Sequence, residues 1–407
     1  KKPTYQRRTV MPEHDLALFL LPKELNLLST RPFRNGYLWE VEKTRQEFEI
    51  CPKCATPSNT RAGRCTALVR DQEVRGKPIW LRIHKHRYYC YNCRKRFTEP
   101  IDGIWPRRRT TQRFRKSLAR QCAKEVSLVS VQRTQNVSSG LLYQVFYEQI
   151  EIKLRERTGA PWPSVLGIDE HFFRRNKGQT EFVTVFCDLK KNRLFEMALG
   201  KDQKSVISQV ESIPGRENVR IVVMDLSNGY RSLVKKLFPN ATIVGDKFHV
   251  LRLLSPAIMK AGKEIFGHRK QLNWRKLLLK SRHKLDCFTR LTLDRHLVPY
   301  PKLRELYFWK ERLASFYRIK GFRKAIRAFR KLTDEMAKST LSEIKRLRRT
   351  LMRWKNEILV YFERPYTNAV TEAINNLAKL VQKRAFGYKS FRNYRLRTLS
   401  ACLTKEF

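Results

Sequence analysis

From residue 164 onward, short apolar runs alternate with amphipathic stretches. Strand-like runs occur at 165–169, 181–188, 193–199, 220–225 and 241–245, and helix-like stretches at 203–212 and 228–238 separate the later ones. The order is strand, strand, strand, helix, strand, helix, strand. The first two joins are short enough for hairpins, and the later ones carry crossover helices. Residues 247–365 read as entirely helical. Within them Leu341, Ile344, Leu347, Leu351, Trp354, Ile358 and Tyr361 recur at steps of three or four, an apolar stripe that faces either the core or a second subunit. Tyr366-Thr367-Asn368 then starts a helix, and its continuation becomes strongly basic.

The first 160 residues follow a different pattern. Residues 1–50 are the least legible part, although Leu16-Ala17-Leu18-Phe19-Leu20-Leu21 has the character of a core or partner-packing segment. Between 51 and 98, two Cys-x-x-Cys pairs bracket β-like runs such as Ile79-Trp80-Leu81-Arg82-Ile83. Trp105-Pro106-Arg107-Arg108-Arg109 reads as a linker, and residues 111–155 as three helices. The last two, Leu128–Gln135 and 139–153, are separated by Asn136-Val137-Ser138 and have the spacing of a helix-turn-helix, with Ser139 expected as N-cap of the second. Pro161-Trp162-Pro163 marks a domain boundary.

Charge narrows the function. Lys and Arg number 86 against 37 Asp and Glu, a net charge of +49 over 407 residues. Such a chain repels itself at low salt unless it binds a polyanion, and nucleic acid is the leading partner. A membrane role lacks support: the best apolar stretch, Leu16–Leu21, is far short of the ~20 residues a spanning helix needs. No secretory signal is expected from these residues, and the nine cysteines are odd in number. That combination points to a reducing compartment, with cysteines used for metal or core packing rather than disulfides. Cys51-Pro52-Lys53-Cys54 and Cys90-Tyr91-Asn92-Cys93 can supply four thiolates to one structural Zn²⁺, in the manner of a zinc ribbon with an inserted hairpin. Cys65, His84 and His86 are nearby alternatives, while Cys122, Cys187, Cys287 and Cys402 read as core residues.

The carboxylates carry the chemistry. Asp169 ends the run Val165–Ile168, Asp225 ends Ile221–Met224, and Glu372 lies one turn into the later helix. Two acids at strand ends and a third on a helix can share a pair of divalent cations. Cutting a phosphodiester needs an activated oxygen nucleophile and a stabilised leaving oxyanion, and two Mg²⁺ ions supply both. The strand order is that of an α/β ribonuclease-H-like (retroviral-integrase-like) core, with 251–365 as a large all-helical insertion. Glu170, Asp188 and Asp246 compete for the metal role. Asp246 and His249, after the fifth strand, and Asn376, on one helical face with Glu372 and Lys379, are candidates to support those carboxylates.

Several cations suit DNA. Arg107, Arg108, Arg109, Arg113 and Arg115 precede the helix-turn-helix and can hold phosphates, with Ser138, Ser139 and Tyr143 near base edges. From Lys379 to Arg397 there are seven Lys/Arg, four aromatics and no acid. Here Lys379, Lys383, Arg384, Lys389, Arg392 and Arg395 mix with Phe386, Tyr388, Phe391 and Tyr394, a composition suited to a DNA strand fed toward an active site.

At Gly167-Ile168-Asp169-Glu170, Met224-Asp225-Leu226-Ser227, Asp246-Lys247-Phe248-His249-Val250, Thr367-Asn368 through Glu372-Ala373-Ile374-Asn375-Asn376, and Arg384-Ala385-Phe386-Gly387-Tyr388 with Phe391-Arg392-Asn393, the chain resembles the bacterial insertion-sequence transposases of the ISL3 family. The resemblance covers roughly residues 50–400. It implies a DDE transposase with Asp169, Asp225 and Glu372 as the triad, Mg²⁺ catalysis with Mn²⁺ able to substitute, and a cytoplasmic, nucleoid-associated location. The expected domains are 1–50, of unclear role; 51–105, zinc ribbon; 106–160, helix-turn-helix; 161–250, first part of the core; 251–365, helical insertion; and 366–407, the Glu372 helix and basic tail. The expected partners are the terminal inverted repeats, target DNA and a second copy of the chain. A transposase-derived regulator without catalysis and a structure-selective nuclease are the alternatives.

Overall fold

The computed structural model describes residues 20–22, 24–125, 127–155, 159–176, 178–267 and 274–404. Of the apolar segment 16–21, residues 16–19 lie outside them. The chain forms two compact units, Lys1–Ile152 and Lys153–Phe407. No helix among the described residues is long and apolar enough to cross a membrane.

The first unit is built on a sheet of β1 (Leu25–Phe33), β2 (Gly36–Lys43), β5 (Arg61–Val74), β6 (Lys77–Cys90) and β7 (Lys95–Thr98). The path is β1-β2-β6-β5, with β7 also paired to β6. Thus residues 25–43, unreadable by pattern, supply two strands, and β2 lies parallel to β6 with Trp39 opposite Leu81. The β5–β6 hairpin turns at Arg75 and Gly76, both at positive φ (50° and 70°), as a two-residue turn matched to strand twist requires. Along β6, Ile79, Leu81 and Ile83 are buried while Trp80, Arg82 and His84 are less so, the two-residue period of a half-buried strand. Those three pack with Leu25, Val41, Val69, Ile101 and Ile104. A small hairpin of β3 (Glu49–Ile50) and β4 (Pro57–Ser58) carries the first cysteine pair.

Three helices follow: Gln112–Lys124, Leu128–Gln135 and Ser139–Leu154. Thr111 caps the first by accepting from Phe114 N, and its own hydroxyl donates to Asp71 of β5 at 2.6 Å. The turn between the last two is made by Asn136 in the left-handed region (φ 48°). The last helix begins at Ser139 itself, and Ser138 Oγ accepts from Leu141 N at 3.3 Å. The cap expected at Ser139 is therefore one residue earlier.

The second unit contains β8 (Val165–Asn176), β9 (Gln179–Asp188), β10 (Arg193–Leu199), β11 (Ile221–Met224) and β12 (Thr242–Gly245) in the order β10-β9-β8-β11-β12. β10, β9 and β8 are antiparallel, whereas β8, β11 and β12 run parallel. All four residues of β11 are buried, as a central parallel strand demands. Helices Gln203–Val210 and Asn228–Leu237, capped by Asp202 and Ser227, occupy the expected connections. One expectation needs correction: β8 does not end at Asp169 but continues to Asn176. Its parallel pairing with β11 stops at Ile168 opposite Met224, and the remainder is a ribbon with β9. The apolar run stops where burial by β11 stops.

Between Ser255 and Val360 the described residues are mainly helical, with helices Ser255–Phe266, Trp274–Leu279, Cys287–Leu297, Pro301–Phe316, Phe322–Ala337, Ser342–Arg353 and Lys355–Val360. Their core is continuous with the sheet: Val222, Leu233 and Ile258 share one cluster with Leu306, Phe329 and Ile344. Ile344, Leu347, Leu351, Trp354 and Ile358 are buried in it, so the apolar stripe faces the core. Cys287 is exposed, contrary to its expected core position, while Cys122 and Cys187 are buried. The chain returns to the sheet through helices Ala369–Arg384 and Phe391–Thr404.

Candidate functional site

The four paired cysteines converge. Their sulfurs lie within 4.8 Å of one another, with Cys51 and Cys93 at 3.7 Å and Cys54 and Cys90 at 3.5 Å. A disulfide needs about 2.05 Å. A tetrahedron with Zn–S near 2.3 Å has edges of about 3.8 Å, so the set fits a four-thiolate Zn²⁺ site. The thiols are already polarised apart. Hydrogen bonding to Thr56 lowers Cys54 to about 6, while desolvation and contacts with the other thiols push Cys93 up to about 12. A cation that takes four thiolates removes this conflict. Cys65, His84 and His86 are outside the cluster.

The carboxylates are arranged by strand register. Ile168, Met224 and Gly245 are aligned across β8, β11 and β12, so Asp169, Asp225 and Asp246 are the next residues on three adjacent parallel strands. Burial, then the neighbouring Asp225 charge, pushes Asp169 up to about 6. A divalent cation would relieve that repulsion, and a hard, oxygen-liganded cation suits the donor set. Asp225 accepts from His249 Nδ1 at 2.9 Å, and this hydrogen bond raises His249 above the usual histidine range. Glu372 stands in the first turn of helix Ala369–Arg384, half exposed, 3.7 Å from the Arg252 guanidinium. Among the described residues only the cysteines gather within 4.8 Å; the three carboxylates are not drawn that tightly together.

What docks the Glu372 helix is specific. Asp246 Oδ1 accepts from Asn368 N and its Oδ2 from His249 N, both at 3.1 Å. Asn368 Nδ2 donates to Ile168 O at 3.0 Å. Gly167 leaves room for this approach, since a Cβ there would lie 2.1 Å from Thr371 Oγ1. Asp246 thus ties the starts of helices Lys247–Arg252 and Ala369–Arg384 to the sheet end. Asn376, named from the helical face, is exposed; Asn375 is buried and donates from Nδ2 to Asp169 Oδ2 at 2.7 Å. It joins His171, which burial holds down to about 4, and Tyr394. Sequence reasoning missed His171 and Asn375, whose only signal was polarity at positions the strand and helix periods turn inward, and it grouped Tyr394 with the rings suited to DNA, whereas Tyr394 is fully buried.

The basic residues divide into two groups. Arg107, Arg109, Ser138, Ser139 and Tyr143 are exposed in the first unit, as are Lys379, Lys383 and Lys389 in the second. Arg113 instead forks onto Asp71, Arg115 is buried against Glu148, and Arg395 pairs with Glu196 through Nε at 2.6 Å and a second nitrogen at 2.5 Å. Arg108 has Glu148 at 3.7 Å. The aromatics of the tail split likewise: Phe386 is 90% exposed, whereas Tyr394 is fully buried and stacks on Phe173.

Comparison with known proteins adds an independent finding. Residues 166–398 match the transposase family of the ISL3 DDE type, a span that begins in β8 and ends beyond the Glu372 helix. Residues 47–93 match the zinc finger of the IS204/IS1001/IS1096/IS1165 transposases and include all four clustered cysteines. The transposase for insertion sequence element IS1001 of Bordetella parapertussis is 22% identical over 370 residues, which cover 85% of this chain and 87% of that protein.

Proposed function

This chain belongs to the ISL3 family of insertion-sequence transposases, and on that premise we propose how it cuts and joins DNA. It is a DNA transposase with a zinc-ribbon domain. Its second unit works as a ribonuclease-H-like core in which Asp169, Asp225 and Glu372 are the catalytic carboxylates. The observation that carries the reading is the register placing Asp169 and Asp225 side by side after paired parallel strands, with the Glu372 helix pinned to that same strand end by Asn368. The β10-β9-β8-β11-β12 order supports the fold assignment.

Asp169, Asp225 and Glu372 would hold the divalent cations. When bound, Mg²⁺ makes an oxygen nucleophile available at neutral pH and offsets charge on the leaving oxygen. The side chains then divide the remaining work. Asp169, its carboxylate fixed by Asn375 and by the Glu170 N–H, presents one oriented carboxylate. His249 holds the Asp225 carboxylate. Arg252, exposed beside Glu372, offers a guanidinium to a phosphate that enters the site. In the first step water adds at the phosphorus at the transposon end and the 3′-oxygen leaves as a free hydroxyl. In the second, that hydroxyl attacks a target phosphodiester and displaces a target 3′-oxygen. Each step breaks one P–O bond and forms one, so no external energy source is required.

End recognition falls to the first unit. The exposed start of helix Ser139–Leu154, with Ser138, Ser139 and Tyr143, enters the major groove as the second helix of a helix-turn-helix, and Arg107, Arg108 and Arg109 take phosphates. In the second unit Lys379, Lys383, Arg384, Lys389 and Arg392 guide the strand. Arg113 and Arg395, committed to Asp71 and Glu196, keep structural roles. Two copies of the chain pair two ends. The test is a fragment carrying one terminal inverted repeat, incubated with Mg²⁺ and then supplied pre-cleaved with target DNA. The reading requires a 3′-hydroxyl nick at the end and joined products. Binding without a nick would make the protein a regulator, and a nick without joining a nuclease.

A further inference from the structure

A line of buried polar side chains from three segments ends on Asp169. Tyr394, in helix Phe391–Thr404, has its hydroxyl 2.7 Å from His171 Nε2. His171 Nδ1 lies 3.0 Å from Asn375 Oδ1, and Asn375 Nδ2 lies 2.7 Å from Asp169 Oδ2. His171, Asn375 and Tyr394 are 3%, 2% and 0% exposed. The geometry follows from period: Asp169 and His171 are two apart on β8 and share a face, so one amide on the opposing helix reaches both. Asn375 is three residues after Glu372, so the two are neighbours on one helix face.

Donor and acceptor counting fixes the direction of every bond. A carboxylate only accepts, so the amide presents its NH₂ to Asp169. The amide oxygen then faces His171, and Nδ1 must carry the imidazole proton. Nε2 of the neutral ring is left bare and accepts from the Tyr394 O–H. The Tyr394 ring is itself fixed by stacking on Phe173, with centroids 5.2 Å apart. Every donor therefore points toward Asp169, whose other oxygen accepts from Glu170 N at 2.8 Å.

We propose that Tyr394, His171 and Asn375 form a one-way hydrogen-bond chain that aims the Asp169 carboxylate and fixes its distance from the Glu372 helix. They are positioning residues: none reaches the reacting atoms, and each acts through Asp169. Their catalytic consequence rests on the transposase reading, but the chain itself can be tested without DNA. In full-length protein labelled with ¹⁵N-histidine, His171 should carry its proton on Nδ1. A proton on Nε2 would mean that the amide is reversed, and the proposal would fall whether or not any variant folds.

The second measurement is titration of the same protein with Mn²⁺ alone. Loss of a group that orients a metal ligand commonly costs about 10–100-fold in affinity, and Asn375→Ala should fall in that range. Tyr394→Phe, which removes one O–H and keeps the stacked ring, should leave the His171 proton on Nδ1, where the Asn375 oxygen accepts it, and weaken Mn²⁺ by a smaller factor. A folded Asn375→Ala protein with wild-type Mn²⁺ affinity would overturn the positioning role. If both measurements come out as expected while wild-type protein never cuts a transposon end, the chain stands and the transposase mechanism fails.

Discussion

Gly167→Ala tests how closely the Glu372 helix must approach β8. The added Cβ would lie 2.1 Å from Thr371 Oγ1, 2.5 Å from Asn368 Oδ1 and 2.9 Å from Leu189 Cδ2. Thr371 is fully buried and Asn368 is held to Ile168 O, so neither can swing aside. Ordinary contact begins near 3.5 Å, and the helix start must retreat by roughly 1 Å. Overpacking of this kind costs about 1–3 kcal/mol. At about 2–4 °C per kcal/mol for a domain of this size, Tm should fall by roughly 2–12 °C. Displacing an aligned catalytic group by about 1 Å can cost about 100-fold in rate. The assay is Mg²⁺-dependent nicking of an inverted-repeat fragment, read beside thermal unfolding and a gel shift for end binding. Gly229→Ala is the control, since its Cβ would meet only Ser227 Oγ at 3.7 Å. Nicking by Gly167→Ala at the level of Gly229→Ala would refute the argument that this contact places Glu372.

Other perturbations separate the parts. Asp225→Asn should abolish nicking and leave end binding intact; collapse of binding in a folded protein would remove Asp225 from the chemistry. Cys51→Ser or Cys90→Ser should lower zinc content and loosen the first unit, because structural zinc contributes about 10–16 kcal/mol in small domains, and unchanged zinc content in both would contradict the thiolate site. Asp169, raised to about 6, must lose its proton to ligate a cation. Divalent-cation affinity should therefore be flat well above pH 6 and fall by about tenfold per pH unit below it, and affinity independent of pH down to 5 would exclude Asp169 as a ligand. End binding should weaken steeply with salt, with a log–log slope of about −0.9 per phosphate contacted, and a flat salt response would deny phosphates their role.

The second unit was readable because its buried strands are short apolar runs followed by acids. Val165–Ile168 and Ile221–Met224 announce both the sheet and the carboxylates after it. The outer half of β8 was not readable as strand, since Glu170, Arg174 and Arg175 interrupt its apolar residues where only β9 pairs with it. Residues 25–43 were hidden for another reason. Pro32 and the acids of β2 spoil the alternation, and the pairing of β2 with β6 joins residues about forty apart. A helical face cannot distinguish position i+3 from i+4 when the buried direction is unknown. Asn376 was therefore chosen from Glu372, while the sheet lies on the side of Asn375. The basic tail was over-read as one mixed surface: residues 385–390 lie between helices, and Tyr394 turns inward once the last helix begins. The two cysteine pairs were legible because metal-ligand spacing within each is set by local chain geometry, while Cys65, His84 and His86 were separated from them only by the fold.

Excision in cells tests the central claim most directly. A marker placed between the inverted repeats that flank the gene would be supplied in trans with wild-type protein or with Glu372→Gln. Transposition by an Asp169–Asp225–Glu372 centre predicts excised junctions with the wild type alone. Junctions from the Glu372→Gln protein at the wild-type level would contradict the assignment of Glu372, and junctions from neither, with both still binding the ends, would contradict transposase activity.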